Sequence, residues 1–531
     1  MDLDTAIDQW LSLLGGPNVL LRGAAQAAYG SDTGGAHRDI AAALTIQDVS
    51  CIPEVMRIAH RNHVSVYPIS TGHNWGYGSS LPVRNGGVIL DLSALQQILD
   101  FDAELGVVTL QPGVTQQLLA DFLEAGGHPY LVPVTGAGPH CSLLGNALER
   151  GYGITPHADH FGAVTDVHAV LPDGRIYRTA MHEAGGVDLA RLFKWGIGPY
   201  SAGLFTQGGF GIITSMSIVL ARRPERVEAC LFTLNNDALL ESAVLAVRSL
   251  LTKLPGTLGA INLMNQHRVL GMTAPFPAGQ LGENGLIGDS LLAQLGRQHK
   301  VAPWTGFASL YGTARMVAAA RKELRSALST IASHLVFVTP ERARTFSHAA
   351  RWVPGAWGRS LVQRTEMLCR SLELVAGRPS DIALKLAYWR NQKPPSAARM
   401  DPARDGCGLI WYSPLVPMRP DGVRAYVNMV TELTQQWAME PLITLTSLND
   451  RLFDSTVPLL FDRNEPSAVA AAQACYNALL VAGRMKGCFP YRVGIETMAQ
   501  LAALQTDSSS FNHLLRKSCD PHDVMAPGRY A

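Results

Sequence analysis

Pro68-Ile69-Ser70-Thr71-Gly72-His73-Asn74-Trp75-Gly76-Tyr77-Gly78-Ser79-Ser80 follows directly on the apolar run Val64-Ser65-Val66-Tyr67, and this strand-then-loop stretch decides the fold. Gly72, Gly76 and Gly78 permit positive φ and close backbone approach, while Ser70, Thr71, Asn74, Ser79 and Ser80 bring hydroxyls and an amide to one turn. The loop offers several convergent N–H donors and no lysine. That combination suits a pyrophosphate that is cradled rather than hydrolysed. The glycine spacing by itself fits a plain structural turn equally well, because glycine-rich turns close many hairpins.

Working outward, a helical pattern over Pro53 to His63 precedes the strand Val64 to Ile69, and an apolar segment from Ala42 precedes the helix. This order reads as a β-α-β unit feeding a binding loop. Further upstream, Leu3, Ile7, Trp10, Leu11 and Leu14 recur at helical spacing until Gly15-Gly16-Pro17 stops them. Downstream come the strand-like runs Gly87 to Leu92 and Gly106 to Leu110, then a helix from Val114 to Ala125. Glycine, proline and small polar residues dominate from Leu131 to Gly151 and offer a second backbone approach to a ligand. Val164 to Leu171 reads as a strand, Pro172-Asp173-Gly174 as a tight turn and Arg175 to Arg178 as the returning strand. Phe205 to Thr214 repeats the glycine-then-strand logic. After Arg222 the texture changes to long helical patterns, such as Asp237 to Leu251 and Met316 to Leu335, among strand-like runs. The expected organisation is a nucleotide-binding α+β domain over 1–222, a substrate or cap domain over 223–487, and a C-terminal return to the first domain over 488–531.

The chain has 531 residues, 47% hydrophobic and only 16% charged, which excludes disorder and implies a large buried interior. Its 44 basic and 43 acidic residues leave no electrostatic footprint for nucleic acid or an anionic membrane surface, so a small-molecule partner is expected. The 8 cysteines are scattered without a C-x-x-C pair. Free thiols, an acidic start without an apolar leader, and no run of membrane-spanning length give the expectation of a cytoplasmic protein.

The opening loop, with Gly145-Asn146-Ala147-Leu148-Glu149-Arg150-Gly151, Thr155-Pro156-His157-Ala158-Asp159-His160, Pro490-Tyr491-Arg492 and Met525-Ala526-Pro527-Gly528-Arg529-Tyr530, resembles the vanillyl-alcohol oxidase and 4-cresol dehydrogenase family of FAD enzymes. The resemblance runs from about residue 40 to the C-terminus, with the segments in the family's order. It implies a two-domain α+β flavoprotein with an α/β cap. It also implies FAD held by Ser70, Thr71, Gly72, His73, Asn74, Trp75, Gly76, Gly78, Ser79, Gly136, Ser142, Gly145, Asn146, Gly151, Gly209, Ile212 and Arg529.

The same resemblance gives Tyr77, Tyr491 and Arg492 the role of a phenolate-binding trio. Two hydroxyl donors and a guanidinium converging on one oxygen favour phenolate over phenol. Asp159 matches the family's carboxylate near flavin N5, where it would assist a quinone-methide intermediate or activate water. The family's tethering histidine falls at Leu409, which cannot form a flavin bond. Gly72-His73 coincides instead with the G-H attachment pair of the wider superfamily, so His73 is the first candidate for a covalent link and Tyr412 the second. Pro490 stands where an acidic residue precedes the family's tyrosine. These matches imply oxidation of a para-substituted phenol at its benzylic carbon, with molecular oxygen or an electron-carrier protein as acceptor and a homodimeric assembly. The alternative is a flavin-dependent oxidase of a sugar, alcohol or amine on the same fold.

Other chemistries lack local support. The chain has no strand-following G-x-G-x-x-G, no G-x-x-x-x-G-K-[ST] and no G-x-S-x-G. His60-x-x-His63 and His157-x-x-His160 have metal-pair spacing, but without further ligands they read as hydrogen-bonded histidines, so no metal is expected.

Overall fold

The computed structural model describes residues 2–352, 355–391, 395, 399–504 and 510–530. Its first sheet holds the strands Val19–Leu21, Ile40–Thr45, Gly87–Asp91 and Val66–Ile69 in that order. Ile40–Thr45 and Val66–Ile69 both run parallel to Gly87–Asp91. Parallel strands covered on both faces need continuous apolar sequence, and Ile40 to Leu44 and Val88 to Leu90 are buried throughout. The helix Ile52–Asn62 makes the crossover and turns Val55, Met56 and Ala59 into the core. Its outer neighbour is the helix Leu3–Leu14, whose Asp2 cap accepts from the Thr5 N–H at 3.1 Å and whose buried Trp10 donates to the Val55 carbonyl at 3.2 Å.

The C-terminal segment closes this layer. The Val66 N–H donates to the Val524 carbonyl and the Ala526 N–H to the Val66 carbonyl, so residues 524–526 lie alongside the strand that feeds the glycine loop. A second, antiparallel sheet follows in the order Ile98–Asp102, Val107–Leu110, Ile212–Val219, Val164–Val170, Ile176–Tyr177.

Among the described residues the largest sheet has nine strands, drawn from Arg226–Leu234 to Phe489–Pro490, and every pairing in it is antiparallel. The α/β texture expected beyond residue 222 thus takes the form of an antiparallel sheet, with the helices Leu240–Lys253, Ala314–Leu328, Pro420–Gln436 and Pro466–Met485 packed in its core cluster. One expected helix divides. Met316 to Leu335 becomes the helix Ala314–Leu328 and the strand His334–Val338, because Leu335, Val336 and Phe337 pair with Phe232, Leu231 and Cys230, respectively, at the sheet edge. No helix of the described residues is long and apolar enough to cross a membrane.

Candidate active site

The glycine loop turns on Asn74, whose carbonyl accepts the N–H groups of Tyr77 at 3.1 Å and Ser79 at 3.0 Å. Gly76 (φ +79°) and Gly78 (φ +119°) hold conformations that side chains rarely adopt, and a Cβ at either would overlap the Trp411 indole or Ile495. These two glycines therefore press the loop against its neighbours and do not themselves line the site. Gly209 likewise serves packing, since a Cβ there would meet Arg516 and the Met525 carbonyl.

The loop borders a cavity of about 410 Å³, a volume suited to a small molecule. Ser70, Thr71, Gly72, His73, Asn74, Trp75, Ser79, Gly136, Ser142, Gly145, Asn146, Gly151, Ile212 and Arg529 all line it. Two glycine-rich segments are stitched together beside it: the Ser142 N–H donates to Thr71 Oγ1 at 3.2 Å, and Ser142 Oγ accepts from the Gly145 N–H at 3.0 Å. Gly145 approaches Ser70 so closely that any Cβ would overlap the serine hydroxyl.

Tyr77, Tyr491 and Arg492 line the same cavity. The Arg492 guanidinium lies over the Tyr77 ring, 4.3 Å from its centroid, donates through Nη2 to Asn74 Oδ1, and places Nε 3.4 Å from Glu149 Oε2. Glu149 also pairs with Arg529, which in turn donates to Tyr67 at 2.8 Å. Tyr77 shares a hydrogen bond of 2.7 Å with Ser413 Oγ. Tyr491 packs edge-on against Tyr152 at 5.6 Å, and its carbonyl accepts from Gln207 Nε2 at 3.1 Å. Burial pushes the Tyr77 phenol up to about 12 against the pull of Arg492 and Ser413, so at neutral pH it is a hydroxyl and a donor.

Glu149 and Asp454 are the carboxylates that line this cavity, and Asp159 is not among its lining residues. Asp159 is exposed, its Oδ1 accepts the Gly162 N–H at 2.8 Å, and it does not line the cavity. That is the turn-capping geometry open to any aspartate in a tight loop. Asp454 lines the cavity from the strand Leu452–Asp462, is 5% exposed, and has no hydrogen-bond partner for Oδ1 among the described residues. Burial raises its pKa to about 7, in spite of the nearby Arg492. A charged residue inside the otherwise buried run Phe453 to Phe461 was the available sequence signal.

An FAD binding domain model matches residues 40–180. The 1'-carboxy-chondrochloren decarboxylase of Chondromyces crocatus is 33% identical over 530 residues, covering 99% of this chain and 97% of that protein. The flavoprotein subunit of the hydroxylating 4-cresol dehydrogenase of Pseudomonas putida is 25% identical, covering 99% of this chain and 95% of that one. Among solved structures, p-cresol methylhydroxylase with substrate bound superposes with a TM-score of 0.87 at 24% identity, over 100% of this chain and 96% of its own. The 4-ethylphenol oxidase of Gulosibacter chungangensis gives 0.86 at 20% identity, over 100% and 97%. The chain belongs to the vanillyl-alcohol oxidase and 4-cresol dehydrogenase family of FAD enzymes.

As a member of the vanillyl-alcohol oxidase and 4-cresol dehydrogenase family the protein is an FAD-dependent oxidoreductase, and the cavity fits that cofactor. Ser79 Oγ is buried there without a hydrogen-bond partner among the described residues, and the cradle between Ser70 and Gly145 admits no extra atom on the backbone. His73 stacks on Trp75 at 4.7 Å and sets Nδ1 3.1 Å from the His140 carbonyl. Burial, then the Arg399 charge, lowers its pKa to about 4, so it is neutral. A carbonyl accepts only from a protonated Nδ1, which leaves the Nε2 lone pair to accept from Arg399 Nη2 at 3.4 Å. Tyr412 is fully buried in the core beneath the large sheet and donates to the Leu479 carbonyl at 3.0 Å, so it does not reach the cavity, whereas Leu409 does.

Among the described residues neither histidine pair joins a cluster of metal-capable groups. His160 accepts instead from Asn146 Nδ2 through its Nδ1. Asp166, His168 and His182 do come together, away from the cavity lining, with Asp166 bridged to both imidazoles at 3.3 and 3.7 Å.

Proposed function

We infer that this enzyme oxidises a para-substituted phenol at the benzylic carbon. The observation that carries the reading is that Tyr77, Tyr491, Arg492 and the buried Asp454 line one cavity with the cofactor-type glycine segments. The names of the cresol dehydrogenase and 4-ethylphenol oxidase relatives support a phenolic substrate.

The hydroxyls of Tyr77 and Tyr491 and the Arg492 fork bind the phenol oxygen and stabilise its anion through charge-assisted hydrogen bonds. Asn74 and Glu149 fix the fork from behind. Bound FAD supplies the two-electron acceptor for the hydride that leaves the benzylic carbon. The phenolate, having lost hydride, becomes a neutral quinone methide. Water then adds its oxygen to the benzylic carbon and gives its proton to the Asp454 carboxylate, a base whose pKa of about 7 suits neutral conditions. Proton loss from the neighbouring carbon gives an alkene by the same base. Molecular oxygen or an electron-carrier protein then takes the electrons, and the naming of one relative as a flavoprotein subunit supports a protein carrier.

An inert 4-halophenol tests the binding half of this reading. It should perturb the flavin spectrum of the wild type and fail to do so in Tyr491→Phe/Arg492→Lys; equal perturbation in both proteins would remove the trio from substrate binding.

A further inference from the structure

The geometry points to Arg268 as the anchor for a carboxylate carried on the para side chain of the substrate, an inference that rests on the phenol reading above. Arg268 stands in the first turn of the helix Gln266–Thr273, where its N–H donates to the Asn265 cap at 3.0 Å. From there its side chain reaches the cavity lining, with Cζ 5.7 Å from the centre of the Trp411 ring. Its Nε and Nη1 are enclosed and have no hydrogen-bond partner among the described residues. Burial holds its pKa down to about 10.

The two guanidiniums at the phenol end contrast with it. Arg492 faces Asn74 and Glu149, and Arg529 faces Glu149 and Tyr67. Each is held by side chains of the protein itself. A buried guanidinium without such partners is costly to keep, and the cost is recovered when an anion enters. The planar fork matches a carboxylate with two parallel hydrogen bonds. Leu409 and Trp411 line the same wall and offer apolar surface to the methylene stem between ring and carboxylate. The site thus reads a phenol at one place through Tyr77, Tyr491 and Arg492, and an anionic tail at another through Arg268.

The test compares the holoenzyme on 3-(4-hydroxyphenyl)propanoate and on its methyl ester, with kcat and KM measured separately. The wild type should prefer the acid. In Arg268→Gln the acid-to-ester ratio of kcat/KM should fall on the order of 10- to 100-fold, mainly through KM, and Arg268→Lys should recover part of it. An unchanged ratio in Arg268→Gln, or a wild type that favours the ester, would overturn the assignment. The wild-type preference decides the matter even where a variant does not fold. If acid and ester both fail to reduce the flavin while another alcohol or amine succeeds, the phenol reading itself is wrong and this inference goes with it.

Discussion

At the residue scale, Arg492 carries the heaviest demand because one guanidinium must face the Tyr77 ring, Asn74 and Glu149 while leaving room for a ligand oxygen. Lysine cannot copy a planar fork, so Arg492→Lys should lower kcat/KM on an active phenol by about 1.5 to 3 kcal/mol of transition-state stabilisation, with flavin content retained. Asp454 makes a pH prediction. Its pKa in the folded protein, about 7, is raised above the ordinary 3.8, so the group is neutral below about pH 7 and a carboxylate above. kcat/KM should therefore rise with pH through about 7, and Asp454→Asn should lose that limb. Linkage has the opposite sign for stability: the folded chain holds this proton more tightly, so its contribution is full below pH 3.8 and lost as pH rises through about 7. Chemical denaturation at pH 5 and pH 8 should show a smaller decline in Asp454→Asn than in the wild type. His73 concerns the flavin link. Acid precipitation should leave flavin in the wild-type pellet and release it from His73→Ala; full release from the wild type would reduce His73 to a contact residue.

At the scale of elements, the glycine loop and its stitched partner were legible because their chemistry is local. Turn residues, a feeding strand and small-residue runs lie next to one another in sequence, and the structure brings Ser70 to Trp75 and Ser142 to Gly151 into one cavity. The Tyr77, Tyr491 and Arg492 trio was legible only through resemblance, since its members lie on segments more than 400 residues apart in the sequence. Asp454 and Arg268 escaped because each is a lone charge in an ordinary strand or helix. What makes them notable is the absence of a partner, and that is a property of packing. Asp159 lies outside the cavity lining, since a motif match carries no information on which way its turn faces. The close approach of Gly145 to Ser70 yields a further expectation. Gly145→Ala adds a Cβ where the Ser70 hydroxyl already sits, so it should weaken FAD retention on gel filtration while leaving the far-ultraviolet circular dichroism unchanged. Retention equal to wild type would mean that this cradle does not hold the cofactor.

At the scale of the whole molecule, an antiparallel sheet built from residues 226–490 supplies Asp454, Leu409 and Trp411 to a cavity whose other wall comes from the glycine segments before residue 213. Residues 491–492 and 529 complete it from the C-terminal part of the chain, and residues 524–526 are docked along the strand Val66–Ile69. The first 222 residues are thus insufficient for the site: both Arg492 and the buried Asp454 come from later in the chain. The central claim is that this assembled cavity couples FAD to a phenol. Its most direct test is an anaerobic titration of the purified yellow protein with 4-ethylphenol, followed in the visible spectrum. The account predicts stoichiometric bleaching of the oxidised flavin band and formation of 1-(4-hydroxyphenyl)ethanol or 4-vinylphenol. An unbleached spectrum at saturating 4-ethylphenol, in a protein whose flavin is readily reduced by a non-phenolic alcohol or amine, would contradict it.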